Sequence, residues 1–373
     1  MIMKVKKFQN YSIVLLVVLT SACKTLPNQY VYPGEISEYE LISGVTFLGS
    51  ALNNKDLPDI DVMAVSEEMS AFLERHVSNA SNHETKAKKL SNAIFNNDGL
   101  GLKYNPGLTM TAIETFDYGA GNCLSFSYLV FAMAQDLGLN VQFQEIDILP
   151  EWDYTNDEIY VESRHINVRV NLYGKNDLIV DIDSVGPDRQ LNYTLLDESY
   201  VLALFYGNVA AEYLLKQDFE SSFKYFVKAI KTDYEESSFW TNLGVLYRRD
   251  GYEDHAEKAY FTALSFNPKD KAALNNLSFL YTEQGNKERA DYFGQLVEKY
   301  QESNPYFRYV KAQKAMEENQ YNLALDHINQ AIRQKDNEAR IYSLKGTIFA
   351  AIGKKREAER ALGIAEQLKI EAL

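Results

Sequence analysis

Three residues of this chain stand in an order that suits acyl transfer. Cys123 lies in "GAGNCLSFS", at the head of an apolar run; His165 lies in "RHINVRV"; Asp181, sixteen residues further on, lies in "LIVDID". A cysteine at a helix N-terminus has its thiolate favoured by unpaired backbone amides and by the helix dipole. Those same amides can receive a developing oxyanion. A histidine can take the thiol proton and return it to a leaving group, while an acid behind it fixes the imidazole tautomer. Gly119 and Gly121 ahead of the cysteine would let a substrate backbone come close. Taken alone, Cys123 beside Leu124 could be core packing. His165 and Asp181 in line with it favour chemistry. Asp183 is the alternative acid if the strand register differs.

The elements that must hold these residues can be read around them. Leu124, Tyr128, Leu129, Phe131, Ala132 and Leu137 predict a buried helix from about Cys123 to Leu137, ended by Gly138. In "HINVRVNLYG" Ile166, Val168, Val170 and Leu172 alternate with His165, Asn167 and Arg169. In "LIVDID" Val180 and Ile182 alternate with Asp181 and Asp183. With "YGKND" as the turn, the pair predicts a hairpin whose polar face carries a histidine and one or two aspartates. Helical stretches precede them ("VSEEMSAFLERHV", "ETKAKKLSNAIF"), and residues 41–198 show no internal repeat.

The motifs "GNCLSFSYLVFAMAQDLGLNVQFQE", "RHINVRV" and "LIVDID" resemble the transglutaminase-like superfamily of papain-like thiol enzymes, over roughly residues 100–185. The likeness is greatest to bacterial members that continue into tetratricopeptide repeats. It implies an α+β papain-like domain with Cys123 as nucleophile, His165 as base and Asp181 as orienting acid. The aromatic usual in that family soon after the histidine is absent here, with Ile166 and Asn167 in its place.

From Ala203 the sequence aligns with itself in units starting at Ala203, Ser237, Lys271, Pro305 and Ala339. The eighth position holds Ala210, Gly244, Ser278, Ala312 and Gly346, and the twentieth holds Ser222, Ala256, Ala290, Ala324 and Ala358. Small residues there let two helices of a hairpin approach closely, and large residues such as Tyr247 and Tyr260 fill between them. Period and pattern match the tetratricopeptide repeat. Residues 199–373 are therefore expected to form an all-α solenoid of five repeats that binds a protein or peptide. Each repeat should contact mainly its neighbours, and Gly294 and Val297 weaken the third.

The N-terminus, "MIMKVKKFQNYSIVLLVVLTSACK", resembles a bacterial lipoprotein signal: lysines, a short apolar core, then small residues before Cys23. Residues 1–22 would be removed, Cys23 lipidated, and residues 23–40 would form a tether. Lys24 after the cysteine implies the outer membrane, facing the periplasm. Cys123 then has no intramolecular partner in an oxidising compartment, which marks it as buried or useful. The net charge of −14 argues against nucleic-acid partners. No histidine pair has metal-ligand spacing, so no metal or cofactor is implied. The expectation is an envelope lipoprotein acting on amide or peptide bonds through a thioester, as protease, amidase or acyltransferase. The alternative is a non-catalytic repeat scaffold with a remnant thiol domain. Cys23→Ser should move the protein from the membrane pellet to the soluble fraction, and a variant that stays in the pellet would remove the lipid-anchor reading.

Overall fold

The computed structural model describes residues 32–96, 98–146, 165–173, 177–182 and 193–371. Cys23, Asp183 and the signal segment lie outside them. The described residues open with two short helices, α1 (Glu38–Ser43) and α2 (Val45–Leu48), and continue into α3 (Glu67–Val77) and α4 (His83–Phe95). Two short strands, β1 (Lys103–Tyr104) and β2 (Ala120–Gly121), pair in parallel around α5 (Ala112–Tyr118). Then comes α6 (Cys123–Asp136), the helix expected from the apolar run, stopped where Gly138 turns at φ 71°.

Every residue of α6 from Leu124 to Ala134 is buried. A helix that is apolar all round must be covered on all sides. One cover is an antiparallel sheet in the order β5-β4-β3-β6, made of β3 (Asn140–Ile146), β4 (His165–Asn171), β5 (Leu178–Val180) and β6 (Tyr193–Leu196). Val168 faces Phe143 on one neighbour and Val180 on the other. Phe143 in turn stacks on Phe131 of α6, ring centroids 4.2 Å apart. The hairpin expected from residues 165–182 is thus present as β4 and β5. Its partners β3 and β6 were not foreseen, and β3 is the central strand.

Helix pairs follow: α7 (Glu198–Leu215) with α8 (Phe219–Thr232), α9 (Ser237–Arg249) with α10 (Glu253–Phe266), α11 (Lys271–Glu283) with α12 (Lys287–Glu302), α13 (Pro305–Glu317) with α14 (Tyr321–Gln334), and α15 (Ala339–Ala351) with α16 (Lys355–Glu371). From the second pair onward each first helix begins at the residue the repeat alignment gives. Close approach at the small positions is visible in hydrogen bonds: Ser222 Oγ donates to the Ala210 carbonyl and Ser278 Oγ to that of Ala290, each at 2.9 Å. A Cβ on Gly244 would come within 2.5 Å of the Tyr260 ring.

The first pair departs from the alignment. Helix α7 starts at Glu198, ahead of Ala203, and its added turn is bound to the region before it. Tyr128 on α6 donates to the Val201 carbonyl at 2.6 Å, and its ring meets Phe205 edge to face. One continuous core runs from Leu41 through α6 to Leu296, so a boundary at 198/199 passes through packed side chains. Residues 32–40, expected within the tether, also lie on the fold. Tyr32 packs against Phe261, and Glu38 accepts from the Tyr234 hydroxyl at 2.7 Å. Just beyond, Phe47 stacks on Phe223 at 4.7 Å, and Tyr247 donates to the Leu41 carbonyl at 2.7 Å.

The last two repeats keep a separate core of Ala312, Ala315, Ala324, Ile328, Ala331, Ile341, Leu344 and Ile348. The break follows the third repeat, where a Cβ on Gly294 would have only the Ser278 hydroxyl, 3.4 Å away, to meet. Two cores joined in series need not melt together. Ile328→Ala, which empties a fully buried site, should cost about 2–5 kcal/mol. Hydrogen exchange in rising urea should show that loss in α13 to α16 alone; equal loss of protection in α6 and α9 would mean one cooperative unit.

Candidate functional site

Local sequence fixes the head of α6. Asn122 takes an extended conformation as N-cap and accepts from the Ser125 N–H at 2.9 Å, satisfying one of the amides that a helix leaves open. Ser125 Oγ donates to the Leu108 carbonyl at 3.0 Å and accepts from the Met110 N–H at 2.8 Å. That seat requires Gly121, since a Cβ there would fall 2.8 Å from the Ser125 Cβ. Asn122 Nδ2 donates to Thr109 Oγ1 at 3.0 Å, and the Thr109 N–H donates to Glu212 Oε1 on α7 at 3.0 Å. A chain of bonds therefore joins the first repeat to the residue preceding Cys123.

The strand side is built as tightly. The Ser127 hydroxyl lies 2.8 Å from the Cys123 carbonyl and 3.1 Å from the Ile166 carbonyl, so it ties α6 to β4 beside His165. Pairing of Val168 with Val180 carries Asp181 to the position across from Asn167, diagonal to His165. His165 Nε2 sits 2.8 Å from Asp181 Oδ2 and 2.9 Å from Oδ1. The two side chains are only 10% and 4% exposed. Asn167 Nδ2 donates to the same Oδ2 at 2.7 Å. At the far end of the hairpin Arg169 grips Asp177 and lies 4.8 Å over the Tyr193 ring, holding β5 and β6 to β4.

His165 has a second side-chain partner, the Cys123 thiol. With Nε2 on Asp181, Nδ1 is the nitrogen left for sulfur. Burial works against the charged imidazole, but the hydrogen bonds from Asp181 and Cys123 and their charges outweigh it and push His165 up to about 10. The arrangement thus favours an imidazolium between a carboxylate and a sulfur. Such a set can supply a nucleophile, a proton for a leaving group and a fixed tautomer.

The structure brings Cys123, His165 and Asp181 together. Asp183 and Cys23 lie outside the described residues. Sequence reading passed over Asn122, Ser125, Ser127 and Asn167. The first of these had a readable signal, an asparagine three residues before a serine at a helix start. The role of Asn167 depends on cross-strand register, which the sequence does not state.

Known proteins resemble this chain over its repeats. Residues 204–361 match the tetratricopeptide repeat family model. Anaphase-promoting complex subunit 3 of Schizosaccharomyces pombe is 26% identical over 157 residues, which is 42% of this chain and 24% of that protein. A TPR repeat-containing protein of Methanocaldococcus jannaschii is 24% identical over 192 residues, 48% of this chain and 33% of that one. The chain thus spans a quarter to a third of the curated relatives it matches. Among solved structures, MamA is 16% identical with a TM-score of 0.24, covering 44% of this chain and 95% of its own. YrrB, described as a TPR protein with an unusual peptide-binding site, is 17% identical with a TM-score of 0.25, covering 46% and 91%. Residues 204–361 thus carry tetratricopeptide repeats, preceded by a helical region with a small sheet.

The raised His165 value carries a stability prediction. A histidine at 6.5 when unfolded and about 10 when folded contributes stability that is complete below about 6.5 and is lost as pH rises through about 10. The melting temperature of His165→Ala should therefore lie furthest below wild type near pH 6 and approach it by pH 10. A gap that stays constant over that range would mean the imidazole is neutral in the fold.

Proposed function

We propose that this chain uses its repeats to hold a protein or peptide and its Cys123–His165–Asp181 grouping to carry out thiol acyl transfer. The single observation behind the chemistry is the buried His165–Asp181 pair set against a thiol at a helix head. Its support includes the resemblance of these motifs to the transglutaminase-like thiol enzymes, whose α+β fold the helix-on-sheet arrangement suits. In the step proposed, the Cys123 sulfur attacks an amide carbonyl carbon and a C–S bond forms. First-turn amides of α6 face the negative charge that develops on oxygen. The His165 imidazolium gives its proton to the departing nitrogen as the C–N bond breaks, leaving a thioester and a neutral imidazole. Neutral His165 then takes a proton from water, giving hydrolysis, or from an amine, giving transfer, as the oxygen or nitrogen bonds to the acyl carbon and the C–S bond breaks, which returns the sulfur as thiolate beside an imidazolium. Hydrolysis, as protease or amidase, is the preferred outcome. Lipidation at Cys23 would place this activity on the outer membrane facing the periplasm.

A second reading has its own observation. The family model matches residues 204–361, and that match with the repeat-protein relatives supports a non-catalytic scaffold that holds a protein partner. The two readings separate on one experiment. Purified Cys23→Ser protein, in which Cys123 is the remaining cysteine, is incubated with envelope extract and analysed by mass spectrometry for an acyl group on Cys123. The enzyme reading expects an adduct that is lost with His165→Ala and that accumulates when hydrolysis is slowed. An unmodified Cys123, with partner capture unchanged in Cys123→Ala, would establish the scaffold.

A further inference from the structure

The residue two along from the histidine has an environment that calls for explanation. Asn167 is completely buried on β4. Its Nδ2 donates to Asp181 Oδ2 at 2.7 Å, while its Oδ1 is buried with no hydrogen-bond partner among the described residues. Across the sheet, in register with it, Gln144 of β3 is also buried and likewise leaves Oε1 without one. An orphaned acceptor in a dry place is costly, and an apolar side chain of similar volume would avoid it. The amide at 167 therefore makes physical sense for what its other end does.

What that end does is fix a carboxylate. Asp181 has two oxygens and receives the His165 Nε2 proton between them, at 2.8 and 2.9 Å, a contact that by itself leaves the carboxylate free to tip about the shared proton. Asn167 engages Oδ2 from the next residue along the same face, and two donors at different positions set the plane. We propose that Asn167 is a positioning residue for the thiol chemistry: it locks the Asp181 carboxylate so that imidazole Nε2 stays engaged and Nδ1 stays turned to Cys123. This inference rests on the reading of Cys123, His165 and Asp181 as one reacting group. The side-chain bond that Asn167 makes is to Asp181, so the effect proposed for it passes through Asp181.

The test is the pH profile of Cys123 alkylation by iodoacetamide, in the Cys23→Ser background, together with thermal melts. Wild type should react at pH 6.5 markedly faster than the cysteine of a short unstructured peptide. Asn167→Leu removes the donor but keeps the bulk. Its profile should move to higher pH by about one unit, which on the rising limb is about a tenfold loss of rate at a given pH. Asn167→Asp retains size and guards against misfolding of the first variant. It sets two carboxyls side by side that must share a proton, so it should also displace the profile, and with a second inflection. A merely structural role would lower the melting temperature and leave the profile in place. Coincidence of both variants with a low-pH wild-type profile would overturn this inference and spare the thiol-site reading. A wild-type profile like that of a free thiol would overturn both.

Discussion

A helix with no polar side must be enclosed, and the placement of the other elements follows from enclosing α6. The sheet takes one flank through Phe143 and Val168, and α7 takes another through Phe205 and the hydroxyl bond to Val201. Along its length α6 meets polar groups through hydroxyls, those of Ser127 and Tyr128, while its open backbone groups lie at the two ends. At the C-terminal end Lys86 caps the Leu137 carbonyl at 2.9 Å. At the other end stands Cys123, partly exposed, where open amides and the cap of Asn122 gather. Burial along the length of α6 therefore leaves its head as the place where a side chain of this helix can meet solvent.

Electrostatics around that head obey the same economy. A carboxylate with 4% of its side chain exposed persists in the charged form only if donors replace water. Among the described residues Asp181 is engaged by Asn167 and by His165, a histidine that gains proton affinity in return. The charge on Asp181 and the charge on His165 are thus each a condition for the other. The Cys123 sulfur stands beside that pair as a further partner of His165. Removing His165 would leave a buried carboxylate short of a donor.

How much of this could be read in the letters depends on how local each feature is. The α6 span, the β4–β5 hairpin and the repeat starts at Ser237, Lys271, Pro305 and Ala339 rest on short-range periodicity, and they were legible. Strand β3 was not: Glu145 falls on its apolar parity and Ile146 on its polar one, which blurs the alternation of Val141 and Phe143. Helix α7 was legible as a repeat helix but not as a partner of α6, because burial of Val201 and Phe205 comes from residues over seventy positions away. The meeting of Cys123, His165 and Asp181 was inferable from order and face. The contribution of Asn167 was not, since a cross-strand hydrogen bond needs a register that no single strand records.

The N-terminal segment that lies along the repeats gives the chain a timing problem. Leu41 finds its hydroxyl donor 206 residues later, at Tyr247, and Phe47 finds its ring partners at Phe223 and Tyr247. A chain emerges from its N-terminus, so this stretch is made first and seated late, after two repeats have been delivered and folded. Contacts so distant in sequence add loop-closure entropy to the folding barrier. Until they form, Phe47 has no stacking partner and the Leu41 carbonyl waits on solvent. Biogenesis of this protein would thus include a step that seals the segment from Leu41 to Phe47 against the first two repeats, and any factor that binds an extended apolar segment would compete for it in the interval.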